Sequence, residues 1–549
     1  YDPLGNQWLS AFVALLPIIL FFVSLVYWNL QGYIAGFLTV VLATLIALFV
    51  YDMPFAKAIA SLVYGALYGL WPISWIIIAA IFLYKLTVKS GYFDILRESI
   101  IAITPDQRIQ VILIGFCFGA FLEGAIGFGG PVAITAALLV GLGLRPLYAA
   151  GLCMIANTAP VAFGAVGIPI IAMAGALNFP ALEISSMAGH MLPPLSIFIP
   201  FFLVFLMDGL KGVKETWPVA LVAGGSFAIV QYLTATKLGP ELPDIASAIV
   251  SIVVVALFLR IWRPKNVFKF DEEVGIKASV EKKVYSLGQI ILAWLPFIIL
   301  IAAIIIWTQP WFKAFFAKDG ILNFLVFRFE IAGLVGIMQS APVVLEPKAV
   351  NSIFTFPLIN TVGTSIFLVA IITMIILRVK VSTAIKTFGE TLNEMKFAIL
   401  TIALVVGFAF ISNYSGISAS LALALAQTGD AFAFFSPVVG WIGVFLTGSD
   451  TSSNLLFGGL QQLTARALDI PEVLFLAANS VGGVVGKMIS PQSIAIACAA
   501  VGLVGRESDL FKFTVKYSII FVIAIGFFTY ALAMLHKSGV IDLLAIIMP

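Results

Sequence analysis

Charge is what this 549-residue sequence has least of: only 10% of its residues are Asp, Glu, Lys or Arg. A soluble chain carries about a quarter charged residues, because it needs a wet surface. This one lacks the charge to cover a large soluble core. Histidine is nearly absent, with His190 and His536 alone. The three cysteines, Cys117, Cys153 and Cys498, stand apart in apolar, Gly/Ala-rich stretches with no CxxC spacing. Zinc, haem and redox chemistry are therefore poorly supplied, and the cysteines read as small packed side chains. No metal site and no cofactor is expected. The net charge of +3 is scattered and makes no basic patch for nucleic acid. There is no GxxxxGK[ST] loop, no HExxH and no Ser/His/Asp arrangement, which argues against ATP hydrolysis and against an enzyme.

What is abundant is apolar sequence. Hydrophobic residues make up 62% of the chain and the mean hydropathy is +1.12. Many apolar runs approach the roughly 20 residues that cross a hydrocarbon core as helix. They lack the two-residue alternation of barrel strands. The fold class expected is an all-α polytopic membrane protein with about 12–14 transmembrane helices, multi-pass in the cell (inner) membrane. The clear spans are 11–28, 32–50, 72–88, 195–207, 217–234, 246–262, 290–307, 355–377, 397–412 and 515–535. The first is long enough to span, so no cleavable signal peptide is expected. The stretch 321–350 is mixed and has no clear assignment. A polar loop, 263–285, divides an N-terminal half, 1–262, from a C-terminal half, 286–549. Arg260, Arg263, Lys265, Lys269, Lys277, Lys282 and Lys283 place that connection in the cytoplasm by the positive-inside rule. Residues 378–396 and 506–516 read the same way.

Each half contains an interrupted region, at about 108–178 and about 417–500, and the two resemble each other. Gly119, Phe121, Leu122 and Gly124 match Gly443, Phe445, Leu446 and Gly448. Arg145-Pro146 is answered by Ile470-Pro471. The pattern Asn-x6-Gly-x4-Pro then occurs as Asn157, Gly164, Pro169 and again as Asn479, Gly486, Pro491. Paired Gly/Pro-interrupted segments in corresponding halves point to the binding site of a secondary transporter. The first interrupted segment follows Lys85, Lys89, Arg97 and Arg108, whereas 427–432 carries no basic residue. Entry from opposite faces, an inverted repeat of broken helices or re-entrant hairpins, is the expectation.

Ionisable groups inside apolar segments are costly and mark function. Glu123 sits at the first break and Asp450 at the second. Both are proton-coupling candidates, since desolvation favours the neutral form of a carboxylate; a helix-capping role is compatible with this. Ser449, Thr451, Ser452 and Asn454 surround Asp450 in an unusually polar run. Gly129 and Gly130, before Pro131, let the backbone itself approach a ligand, with N–H groups suited to an anion. Lys487 is the best candidate to neutralise a bound carboxylate, against the alternative of snorkelling to an interface. Ser490, Gln492 and Ser493 lie just beyond and can bond a hydroxyl. Asn157 and Asn479 either satisfy freed backbone or touch the ligand. Arg145 reads as an anchor at a membrane edge, and His190 as a loop or interface residue, against the alternative of a proton-carrying group. Asn413, Tyr414 and Ser415 resemble one more unwound end.

Long stretches of the sequence resemble the lactate permease family: GAFLEGAIGFGGPVAI (119–134), LRPLYAAGLCMIANTAPVAFGAVGIPI (144–170), FLTGSDTSSNLLFGGLQ (445–461) and NSVGGVVGKMISPQSIAIACAA (479–500). The likeness runs over nearly the whole chain. It implies a secondary carrier that imports L-lactate, D-lactate or glycolate by proton symport, with an elevator-like mechanism by analogy alone. The partners implied are the small acid, protons and the bilayer. A sodium-coupled version, using the unwound backbone near Asn157 and Asn479, and an anion channel are the alternatives.

Overall fold

The computed structural model describes residues 2–28, 30–127, 130–269, 285–339, 348–504 and 506–547. Among these, 11 helices are long and apolar enough to cross a membrane, or 12 if the bent pair Pro146–Ala156 and Val161–Leu177 counts as one span. Helix is the form such sequence must take, since only helices and closed barrels satisfy every backbone group in hydrocarbon. Bulky apolar side chains remain on the outside, among them Phe37, Leu45, Ile229 and Phe527, where lipid rather than water suits them.

The first interrupted region is a hairpin followed by a broken helix. One arm runs Gln107–Ala125, fully buried and π-helical over Val111–Phe118. This arm is long enough to cross, longer than the 110–122 run visible in the sequence. The other arm is Gly130–Gly141. The base of the hairpin is closed by Gln107, whose amide donates to the Leu142 carbonyl at 2.9 Å. It is held to the connection between the halves by the Gln107 N–H on the Phe268 carbonyl at 3.1 Å. Arg108 is buried there between Asp106 at 2.9 Å, Asp208 at 2.8 Å and Glu215 at 2.8 Å. Asp208 marks a kink, with Gly209 at φ +61°, inside the long helical run Pro193–Lys237, which corresponds to two expected spans. The broken helix follows as Pro146–Ala156 and Gly164–Leu177, bent by 65°.

The second region repeats the order. Its hairpin is Phe432–Thr447 and Asp450–Ala467, turning on Gly448 at φ +71°. Its broken helix is Glu472–Gly486 and Pro491–Ala500, with a short 3-10 turn over Lys487–Ile489. The two breaks are offset relative to the matching asparagines. Pro160 disfavours helix at the residue before it, so the first helix ends at Asn157. No proline interrupts until Pro491 in the second, and Asn479 remains inside a helix. Around these regions pack Gly32–Phe49, Phe55–Tyr68 and Val381–Ser415, in contact close enough that a side chain on Gly65 would start 2.7 Å from the Val406 carbonyl. The stretch 321–350 that resisted assignment holds Met338–Gln339 antiparallel to Lys348–Ala349, and Val326–Glu330, whose antiparallel partner Ile353–Pro357 runs into the expected span 355–377, where the helix begins only at Val362. Of the 263–285 connection, 270–284 lies outside the described residues.

Candidate functional site

The two hairpin turns and the two helix breaks converge. Glu123 occupies the last turn of Gln107–Ala125, and Lys487 begins the break after Gly486. They come from opposite halves, 364 positions apart, yet the Lys487 ammonium donates to Glu123 Oε1 at 2.6 Å. Both are buried, at 2% and 8% exposure. Asn157, capping the first helix before its break, donates to Glu123 Oε2 at 3.1 Å.

Asp450 opens the returning arm of the second hairpin, directly after Ser449, whose hydroxyl caps that helix by accepting from the Ser452 N–H at 3.2 Å. Behind it stands a buried amide network. Asn454 Nδ2 donates to Ser480 at 2.5 Å, to the Pro169 carbonyl at 3.1 Å and, longer, to Asp450 Oδ2 at 3.5 Å. Asn479 donates to Asn454 at 2.8 Å, and Gln461 to Asn479 at 3.0 Å. The Pro169 contact ties the second hairpin to the restart of the first broken helix.

A cavity of about 60 Å³ lies between these elements, lined by Glu123, Lys487, Ser449, Asp450, Thr451 and Gln492, with Gly127, Gly164 and Ala165 as backbone wall. That is room for a few non-hydrogen atoms, well under the ~300 Å³ at which drug-sized pockets begin. The wall is strained. Ala165, Val166 and Gly167 lie in succession at φ +45°, +59° and +76°. A β-branched residue in the left-handed region is an outlier that costs about 1–2 kcal/mol, the kind of backbone held at binding sites.

Of the residues expected from the sequence, Glu123, Lys487, Ser449, Asp450, Thr451, Gln492 and Ser493 face the cavity. Asn454 and Asn479 are fully buried in the network behind Asp450. Asn157 reaches the site through Glu123. Ser490 is buried as the cap of Pro491–Ala500 and donates to Ser493 at 2.8 Å. Ser452 and Gly130 are not at the cavity wall, and Gly129 lies outside the described residues. His190 is in the helix Ala181–Met191, with Nδ1 2.8 Å from the Ser186 carbonyl and its ring against Tyr232. Asn413 and Tyr414 line a second, larger cavity of about 740 Å³ together with Tyr64, Tyr68, Arg466 and Glu472.

One residue escaped the sequence reading. Asp244 is 1% exposed, and neither of its oxygens has a hydrogen-bond partner among the described residues. Its Cβ lies 2.6 Å from where a side chain on Gly124 would begin. The expected span began at Ala246, but the helix runs Pro243–Ile261 and takes Asp244 inside. The Pro-Asp pair just ahead of an apolar run is the signal that marks it. Among the described residues, Asp450 Oδ1 and Asn157 Oδ1 are also without hydrogen-bond partners. Acceptor oxygens thus outnumber donors around a single lysine.

The fold and the site define a multi-pass membrane carrier with a small polar centre between two interrupted segments. The family model described as L-lactate permease matches residues 10–536. The glycolate permease GlcA of Escherichia coli (strain K12) is 56% identical over 540 residues, 96% of each chain. The L-lactate permease of the same organism is 54% identical over 532 residues, 96% of this chain and 97% of that one. Among solved structures, the Alcanivorax borkumensis YdaH transporter aligns over 80% of this chain and 86% of its own at 15% identity and TM-score 0.32, too distant to inform the site. The chain belongs to the L-lactate permease family. It is a permease of the cell membrane, not an enzyme.

Proposed function

We propose that the protein imports small 2-hydroxy monocarboxylates, L-lactate, D-lactate or glycolate, together with protons, through the cavity at Lys487. The observation that carries this reading is the buried Glu123–Lys487 pair at the wall of a cavity that fits a few heavy atoms. Relatives named for lactate and for glycolate stand at nearly equal identity, so the three acids are proposed as one substrate class.

The pair supplies a coupling rule. A substrate carboxylate needs Lys487, which Glu123 already holds. Two anions on one buried ammonium leave an uncompensated buried charge, which is strongly unfavourable. Protonation of Glu123 releases the lysine, so anion and proton enter together and the site stays neutral. Gln492 and Ser449, on the same wall, suit the 2-hydroxyl. Asp450, at the equivalent turn of the second hairpin, is a further coupling group. The halves 1–262 and 286–549 act as inverted repeats in this reading. The first hairpin's base bonds the basic connection at Phe268. The second's begins beside Asp430, which pairs with Lys537 at the far end of Glu507–Lys537 from Arg506. An elevator-like displacement of the hairpins is the accompanying motion.

Purified protein in proteoliposomes, offered labelled L-lactate, D-lactate and glycolate, tests the reading. An inward pH gradient is expected to drive accumulation, and lactate entry to carry protons inward. Accumulation driven by sodium at fixed pH would replace the proton by that ion. Flux without counterflow would make the protein a channel.

A further inference from the structure

The site holds a carboxyl group for which the coupling rule has no use. Asp244 is buried with both oxygens unbonded among the described residues. An ionised carboxylate so placed needs a cation or several hydrogen bonds, and the nearby ammonium is engaged by Glu123 at 2.6 Å. The first turn of a helix welcomes an acidic residue, but here no backbone N–H is bonded to it, so capping does not account for it.

Its surroundings are nearly free of other charge. The groups close enough to act on it are Glu123, which repels its ionised form, and Lys487, which attracts it. The packed segments Val111–Phe118, Gly164–Leu177 and Leu287–Thr308 bring no charged side chain; Cys117, 3.3 Å from Ser251, is the titratable group there. The long run Pro193–Lys237 brings Lys237, exposed, at its near end. On the connection between that run and Pro243–Ile261 stands Glu241, half-buried, three positions before Asp244. Burial pushes the Glu241 carboxyl up to about 7, with Lys313 opposing. Lys313 follows the span Leu287–Thr308, so Glu241 lies on the strand-bearing side, away from the Arg108 base.

We infer that Asp244 is a proton relay, neutral at rest, through which the coupling proton passes from the Glu241 entrance to Glu123. The inference rests on the proton-symport reading above. In the step, a water molecule bridging the two carboxyls takes the Asp244 proton as it gives one of its own to Glu123, so the Asp244 O–H bond breaks, the Glu123 O–H bond forms and the water is regenerated. A proton from solution, by way of Glu241, then refills Asp244. Lys487 stays an ammonium and exchanges Glu123 for the substrate carboxylate. One proton enters per anion, and no electrons move.

The test is Asp244→Asn, whose amide mimics the neutral acid but relays no proton. pH-driven L-lactate uptake should slow more than tenfold and its solvent deuterium effect change. The equilibrium affinity for L-lactate, and its dependence on pH, should shift less than threefold. Asp244→Glu, which restores the acid, should recover most of the rate and serves if the amide variant does not fold. Wild-type uptake rates in folded Asp244→Asn would overturn the relay, as would loss of the pH dependence of affinity, which would make Asp244 the coupling site itself. A folded Asp244→Glu protein as slow as the amide variant would overturn it too. Wild-type protein that moves lactate without protons would sink both this inference and the symport reading, whereas the other failures sink the relay alone.

Discussion

A lysine that is 8% exposed and bonded to a carboxylate at 2.6 Å is the residue on which the proposed mechanism turns. On the proposed symport, Glu123 holds Lys487 in the free site and carries the co-transported proton in the loaded one. The loaded form would then hold one proton more, and affinity for L-lactate should weaken as pH rises, by up to about tenfold per unit. Glu123→Gln removes the competing charge. It is expected to bind L-lactate with no such slope from about pH 6 to pH 8, and to equilibrate lactate without accumulating it against a pH gradient. Affinity titrations across that range and vesicle uptake check both. Lys487→Gln acts in the other direction. A hydrogen bond to a charged group contributes about 1.5–3 kcal/mol, so the dissociation constant for L-lactate should rise by roughly tenfold to a hundredfold or more. A wild-type constant would remove Lys487 from the site. Asp450→Asn should impair proton-driven uptake more than lactate exchange, because exchange does not need the proton to leave; equal loss of both in a folded protein would strip Asp450 of a proton role.

At the scale of elements, the interrupted segments were legible because their breakers are local. Gly448 and Pro491 mark the breaks in the sequence, and the structure uses them as a turn and a helix start; the cap of the second hairpin's returning arm, which the sequence offered to Asp450, is instead Ser449. What could not be read is what depends on distant partners. Asp244 fell outside the expected span 246–262 because its helix begins earlier than its apolar run. The offset of the two breaks hinges on Pro160, which has no counterpart in the second repeat. The strands of 326–357 are too short and too isolated for a period to show. Nor did the sequence disclose how closely the second hairpin packs on the second broken helix. A side chain on Gly482 would start 1.9 Å from the Pro437 carbonyl, and one on Gly440 1.9 Å from the Asn479 carbonyl. Small residues at such contacts let membrane helices approach backbone to backbone. The obstacle is main chain and cannot rotate away, so Gly482→Leu should cost at least the ~1–3 kcal/mol of an overpacked core, lowering the thermal unfolding midpoint of the purified protein. Because Gly482 lies between Asn479 and Lys487 on one helix, the same variant should also lose lactate binding at temperatures where it is still folded.

In the whole molecule these elements define two faces. The base of the first hairpin is locked to Asn266 and Phe268 through Arg108 and Gln107, next to the most basic connection in the chain. From the far end of that connection, Leu287–Thr308 makes one crossing: its 22 residues rise about 33 Å at 1.5 Å each, matching a hydrocarbon core near 30 Å. It delivers the chain to the strands, and the shorter helix Val362–Ile376 leads back to Arg378 and Lys380. Basic connections stay in the cytoplasm, so the strands and the larger cavity beside them should face outward, the side from which an imported acid and the Glu241 entrance would meet solvent. The native cysteines Cys117, Cys153 and Cys498 are all buried, so single introduced thiols report cleanly. Lys318, before the strands, and Lys265, on the basic connection, are both exposed. In intact cells (spheroplasts where an outer membrane intervenes), a membrane-impermeant maleimide should label Lys318→Cys at once and Lys265→Cys only after the membrane is opened. The reverse pattern would invert the molecule in the bilayer, and with it the direction in which the Glu241–Asp244–Glu123 path feeds the site.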